Sequence, residues 1–176
     1  MNAADTAIRW IAEEEAIRSR IAHGTGFARP GQLAGRTGLE MLQAMLAGEI
    51  PRPPMSETLD FLLLRAEPGL AIFQGRPHLR YYNPLGTVHG GWFATLLDSA
   101  LGCAVQTSLP AGKAYTTMEF KVNLVRPLTE AVPVVRAEGK LLHAGRTVAT
   151  AQARLVGPDG KLYAHGTTTC LIFDRE

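Results

Sequence analysis

Cysteine, long apolar runs and charge of one sign are all scarce in this sequence. Only two cysteines, Cys103 and Cys170, occur in 176 residues. Both stand among apolar neighbours, which suits reduced core residues better than a disulfide. No apolar stretch is long enough to cross a bilayer, which takes about 20 residues as a helix. The stretch Met1–Ala22 carries Asp5 and the run Glu13–Glu14–Glu15, whereas a secretion signal needs a basic start and an uninterrupted apolar segment. The formal net charge is +2, and Lys and Arg form no block that would track a nucleic acid. These absences point to a cytoplasmic protein with neither nucleic acid nor membrane as partner.

Several catalytic signatures are missing as well. No Gly-x-Ser-x-Gly nucleophile elbow occurs. The five histidines, His23, His78, His89, His143 and His165, are scattered, with no His-Glu-x-x-His pair and no close Cys/His set, so no metal site is expected. No glycine-rich phosphate loop follows a strand. No cofactor is expected either.

What is present is enough apolar material, 46% of residues, to build the core of one domain. Ile8, Trp10, Ile11, Ile17 and Ile21 fall near helical spacing and predict a helix over residues 5–22. A Gly/Pro-rich loop, His23–Gly35, follows, then a second helix over about Gly38–Ala47, stopped by Gly48 and Pro51, Pro53 and Pro54. Residues 1–57 read as a helical extension covering part of the core, and 58–176 as the main domain. In the latter, Leu59–Ala66 and Leu70–Arg76 look like strands joined at Pro68–Gly69. The segment Gly90–Leu109 is apolar nearly all round, the mark of a buried helix. Thr116, Met118, Phe120, Val122 and Leu124 then alternate with Thr117, Glu119, Lys121 and Asn123, the period-two pattern of a half-buried strand. Val132–His143 and Arg146–Val156 form a hairpin, and the turn Gly157–Pro158–Asp159–Gly160 leads into Lys161–Phe173. Rows of small residues (Ala149, Ala151, Ala153; Ala164, Gly166) would let a helix approach the sheet. The class is α+β: one long buried helix wrapped by an antiparallel sheet.

Asp98 is the only charged side chain between His89 and Lys113. A buried unpaired carboxylate is costly, so such a group is paired, hydrogen-bonded, functional or turned to a wet edge. His89–Gly90–Gly91 lies where the chain enters the apolar helix. The first amides of a helix lack internal partners and mark the positive end of its dipole, where an oxyanion would be stabilised. Asn83, beside Pro84, Leu85 and Gly86, is either a turn residue or a hydrogen-bond donor to a substrate carbonyl. Thr117, on the polar face of its strand, could hold a water or the Asp98 carboxylate.

Taken together, Asn83, His89, Gly90, Gly91 and Asp98, followed by Thr117 and the strand end Asn123–Leu124–Val125–Arg126–Pro127, resemble the hotdog-fold thioesterases of the phenylacetate-degradation type, relatives of the 4-hydroxybenzoyl-CoA thioesterases. The resemblance spans about residues 58–173 and rests on the spacing: six residues from Asn83 to His89, then nine to Asp98. It implies a hotdog fold and hydrolysis of an acyl-CoA with an aromatic or medium-chain acyl group, CoA being part of the substrate. It implies a homodimer or homotetramer with sites shared between chains: Asn83, His89 and Gly90 from one, Asp98 and Thr117 from the other. Asp98 would be nucleophile or general base and the Gly90 amide the oxyanion donor. Gly91, Trp92 and Arg126 would bind substrate; Trp92, Phe93 and Leu96 are candidates for the acyl pocket, and Arg80, Arg126 or Arg146 for the CoA phosphates. Two alternatives stay open. One is a hotdog module that binds acyl-CoA without cleaving it. The other is a hotdog dehydratase or hydratase, whose pattern tends to place an Asp before the Asn-Pro pair and a His soon after it; here Tyr82 precedes Asn83–Pro84 and His89 follows five residues after Pro84.

Overall fold

In the computed structural model, which describes residues 2–21 and 24–175, the helix expected near the start runs over Ala3–Arg20 (α1). Asn2 caps it, its side-chain oxygen accepting from the Asp5 amide at 2.8 Å. The expected end at Ala22, and His23 after it, lie outside the described residues. The expected loop contains one short helix, Pro30–Leu33 (α2), with proline in its first turn. The second predicted helix is Gly38–Leu46 (α3). A capping box fixes its start: the Glu40 amide donates to Thr37 Oγ1 and the Thr37 amide to the Glu40 carboxylate. The proline cluster that ends it starts another short helix, Pro54–Thr58 (α4).

Beyond residue 58 come β1 (Phe61–Glu67), β2 (Leu70–Gly75), the long helix α5 (Gly90–Gln106), and then β3 (Lys113–Leu124), β4 (Val135–Ala144), β5 (Val148–Val156) and β6 (Leu162–Asp174). The strands form one six-stranded sheet in the order β1-β2-β4-β5-β6-β3, with every pairing antiparallel. The sheet wraps α5, whose Leu96, Leu97, Ala100, Leu101, Ala104 and Val105 are fully buried. Small residues permit this. Ala149, Ala151 and Ala164 show no exposure, and a Cβ on Gly139 of β4 would lie 2.0 Å from the Ala100 carbonyl oxygen of α5, so only glycine admits that helix at this depth. Cys103 and Cys170 are free thiols. Among the described residues, no helix is long and apolar enough to cross a membrane.

One strand departs from the expected alternation. In β3 the pairing with β6 shifts between Thr117 and Glu119, which leaves Met118 as the extra residue of a bulge and 63% exposed. The bulge reverses the parity of the strand. Tyr115 and Thr117 face α5 before it, and Val122 and Leu124 face α5 after it. Thr117 is thus on the helix side, not on the polar face where the simple period placed it.

The extension is fastened by buried charge as well as by its apolar stripe. Trp10 of α1 packs on Val134 and Val156. Glu14, with no exposure, accepts from Arg18 at 2.6 Å, from Gln74 of β2 at 2.6 Å and from Arg76 at 3.1 Å. Gln74 in turn accepts from Arg136 of β4 at 2.9 Å, and Arg136 lies over the Trp10 ring. Glu14 is the fully buried charge of the group; without it Gln74 and the part-buried Arg18 and Arg76 lose an acceptor, while Arg18 keeps Asp60. Glu14→Ala should therefore lower the unfolding free energy by about 1.5–3 kcal/mol in denaturant titration; a loss under about 0.5 kcal/mol would show that the network does not fasten α1.

Candidate active site

The approach to α5 is built by a tight loop. Tyr82 and Val88 form an isolated antiparallel bridge, and Asn83 organises the residues between them. Its Oδ1 accepts from the Leu85 amide at 2.9 Å, and its Nδ2 donates to Thr87 Oγ1 at 3.0 Å. Asn83 is thus a turn-forming residue with one Nδ2 hydrogen still available. His89 then caps α5, its Nδ1 accepting from the Gly91 amide at 3.0 Å. With Nδ1 accepting, the ring nitrogen left to donate is Nε2. The Gly91 amide is therefore occupied, while the Gly90 amide has no acceptor among the described residues. A Cβ on Gly90 would meet Leu124 Cδ1 at 2.8 Å.

Asp98 lies two turns further along α5, in the wall of a cavity of about 240 Å³. The walls come from three parts of the chain: Ile17, Leu42 and Leu46 of the extension, Leu63 and Phe73 of the sheet, and Ser99 and Cys103 of α5 itself. Asp98 is the only carboxylate among the lining residues. The Thr117 hydroxyl donates to its Oδ1 at 3.3 Å. Burial raises the Asp98 pKa above the ordinary carboxylate value, and the Thr117 hydrogen bond partly opposes that rise. Cys103 is no rival nucleophile: burial, with the nearby Asp98 charge, pushes its thiol up to about 12.

Other residues singled out in the sequence lie elsewhere. Trp92 is a core residue, 3% exposed, stacked on Tyr81 with its indole N–H donating to the Leu59 carbonyl at 2.9 Å. Phe93 and Leu96 are buried with it, and none of the three lines the cavity. Arg80, Arg126 and Arg146 are exposed and form no ion pair among the described residues. The lining residues missed in the sequence include Leu63, Phe73 and Cys103 of the main domain and, from the extension, Leu42, Met45 and Leu46 of α3 with Arg52 and Pro53 after it. The apolar stripe of α3 was the one visible signal for those of the extension. Among the described residues no three His, Cys, Asp or Glu side chains gather as metal ligands.

Asp98 and Gly90 share one helix, eight residues apart, or about 12 Å along its axis. A carbonyl held at the Gly90 amide is out of reach of the carboxylate in the same chain. One edge of β3, however, has no partner strand among the described residues, and that strand exposes Met118, Phe120 and Leu124.

An α5 wrapped by this sheet order defines a hotdog fold, and solved structures share it. A proposed thioesterase from Ralstonia eutropha JMP134, described as related to phenylacetic acid degradation, is 28% identical with a TM-score of 0.68, covering 74% of this chain and 98% of its own. A protein of Thermus thermophilus is 30% identical with a TM-score of 0.61, covering 68% of this chain and 97% of its own. A proposed esterase of Halobacterium salinarum is 37% identical over 75 residues, 42% of this chain; the match spans only 48% of that relative. The sequence pattern of the thioesterase superfamily matches residues 85–164, from the turn before α5 into β6. The chain belongs to the thioesterase superfamily.

The raised Asp98 pKa has a kinetic consequence with a definite sign. In a reaction that used Asp98 as base or nucleophile it would have to be ionised, and kcat/KM should then fall as pH drops through a value above the ordinary 3.8 of an aspartate. Thr117→Val removes the bond that lowers this pKa, and should move the acidic limb to higher pH. A limb that stays in place in Thr117→Val would show that the hydroxyl does not act on Asp98.

Proposed function

We propose that this protein hydrolyses an acyl-CoA thioester to the free acid and CoA, and does so as a homodimer, alone or paired into a tetramer. Each site lies between chains: Asp98 and Thr117 of one face Asn83, His89 and Gly90 of the other. The thioester carbonyl oxygen points at the free Gly90 amide, at the positive end of α5, where negative charge developing on attack is stabilised. As general base, Asp98 takes a proton from water; the new C–O bond forms, the C–S bond breaks and CoA leaves as thiolate. As nucleophile, its oxygen attacks the carbonyl, the C–S bond breaks with CoA leaving as thiolate, and water then cleaves the acyl-aspartyl anhydride to release the acid. Thr117 orients the carboxylate. The Nε2–H of His89 and the spare Nδ2 hydrogen of Asn83 are donors for the carbonyl or the attacking water.

The observation that carries this reading is the half-buried Asp98 carboxylate in the wall of an apolar cavity, held by Thr117 with its pKa raised. Support for a shared site comes from the separation of about 12 Å between Asp98 and Gly90 along one helix. The open β3 edge with its exposed apolar residues is a surface that pairs readily with a second copy. The unpaired Arg80, Arg126 and Arg146 are candidates to meet the CoA phosphates. The reaction as written needs no metal or cofactor, and the cytoplasm, where acyl-CoA is at hand, is the proposed location.

Asp98→Asn tests the assignment. CoA release from a panel of aromatic and medium-chain acyl-CoAs should drop by about 10²–10⁴-fold, with the elution volume of the oligomer unchanged. Undiminished turnover would remove Asp98 from the mechanism, and binding without release by the unaltered protein would favour a non-catalytic acyl-CoA module.

A further inference from the structure

The cavity beside Asp98 carries a second charge that the hydrolytic reading does not use. Arg52 lies in its wall, and its Nε and Nη1 are buried without any hydrogen-bond partner. No ion pair engages it among the described residues, and Asp98, the cavity's only carboxylate, is not within pairing distance. Of the surrounding walls, Leu42, Leu46, Pro53 and Phe61 have no acceptor side chain, and neither the Met45 sulfur nor the Ser56 hydroxyl bonds to those two nitrogens. Arg52 as a whole is part-buried, but buried polar atoms in folded proteins are almost always satisfied. These two nitrogens are therefore open to an acceptor that the described residues do not supply.

The backbone holds it in that state. Arg52 stands between Pro51 and Pro53, which limit the conformations of the segment. Its carbonyl accepts from the Gly26 amide at 2.9 Å, and it bridges to Thr25.

We propose that Arg52 makes this cavity select acyl groups bearing a carboxylate at the end remote from the thioester, that is, half-thioesters of short dicarboxylic acids. The proposal rests on the thioesterase reading only for the position of the thioester, next to Asp98. An anion is favoured over a neutral hydroxyl because the unmatched quantity is a full positive charge, and a carboxylate accepts two parallel N–H bonds from the guanidinium fork. A plain alkyl chain would leave both buried nitrogens as they are. Size fits the same class. An apolar cavity of about 150 Å³ takes up benzene, so 240 Å³ accommodates a chain of about four to six carbons. The arginine comes from the extension, so the extension sets the specificity of a cavity whose reactive end belongs to the main domain.

The test compares two thioethers of CoA that cannot be hydrolysed, S-(4-carboxybutyl)-CoA and S-pentyl-CoA, by calorimetry on the full chain. The expected result is at least about tenfold tighter binding of the carboxybutyl compound, since a site built to hydrogen-bond a group discriminates strongly against its absence. Arg52→Met should reverse that order, because the cavity becomes apolar. Arg52→Lys, which keeps the charge and loses the fork, should fall between. Equal affinity for the two compounds, binding of neither, or a carboxylate preference that persists in Arg52→Met would overturn the proposal. Parallel assays of CoA release from glutaryl-CoA and pentanoyl-CoA separate the two readings. No release from either, with the thioether preference intact, contradicts hydrolysis but supports the Arg52 site. Release from pentanoyl-CoA in preference to glutaryl-CoA supports hydrolysis and contradicts the Arg52 site.

Discussion

A carboxylate on a helix packed nearly all round with apolar neighbours is under physical tension, because burial disfavours its charge. In this protein Asp98 stays accessible on one side through the cavity, and Thr117 supplies one hydrogen bond. The rest of the arrangement follows from how that residue is held. The bulge at Met118 turns Thr117 toward it. Close contact between Gly139 and Ala100 fixes the depth of α5 against the sheet. The same helix that carries the carboxylate presents the free Gly90 amide two turns earlier, too far for both to act on one carbonyl within a single chain.

The extension makes the cavity. α1, α3 and the segment after α3 contribute Ile17, Leu42, Leu46 and Pro53 to the largely apolar space that Asp98 faces. The Glu14 network ties α1 to β2 and β4, and the apolar stripe of α3 covers the opposite side of the cavity. That wall also carries Arg52, whose Nε and Nη1 have no partner among the described residues.

Most of the fold was legible in the sequence because two periods, 3.6 and 2, leave plain marks in apolar residues. The buried helix, the hairpins and the turn at Gly157–Gly160 fall within a few residues of their predicted places. The parity of β3 was not legible: a bulge inserts one residue and reverses everything before it, and nothing in the alternation of Thr116 to Leu124 marks where. Asp98 was visible as the lone charge in an apolar segment, and the Gly90 amide as the first turn of the same helix. Trp92, expected near the acyl pocket, packs in the core against Tyr81 and the Leu59 carbonyl; a large aromatic reads alike in a core and in a cavity. Arg52 and the Glu14 network were invisible for a different reason. Both depend on contacts across some tens of residues, and charged residues in such segments read as solvated surface.

The claim at the centre is that one chain cannot complete a site. Mixing Asp98→Asn protein with His89→Ala protein, followed by unfolding and refolding together, tests it directly. Random pairing makes half the dimers mixed, and each mixed dimer holds one site free of either substitution, so about one quarter of full activity should return from two weakly active parents. No recovery above the parents, with mixed dimers demonstrated to form, would contradict a site shared between chains.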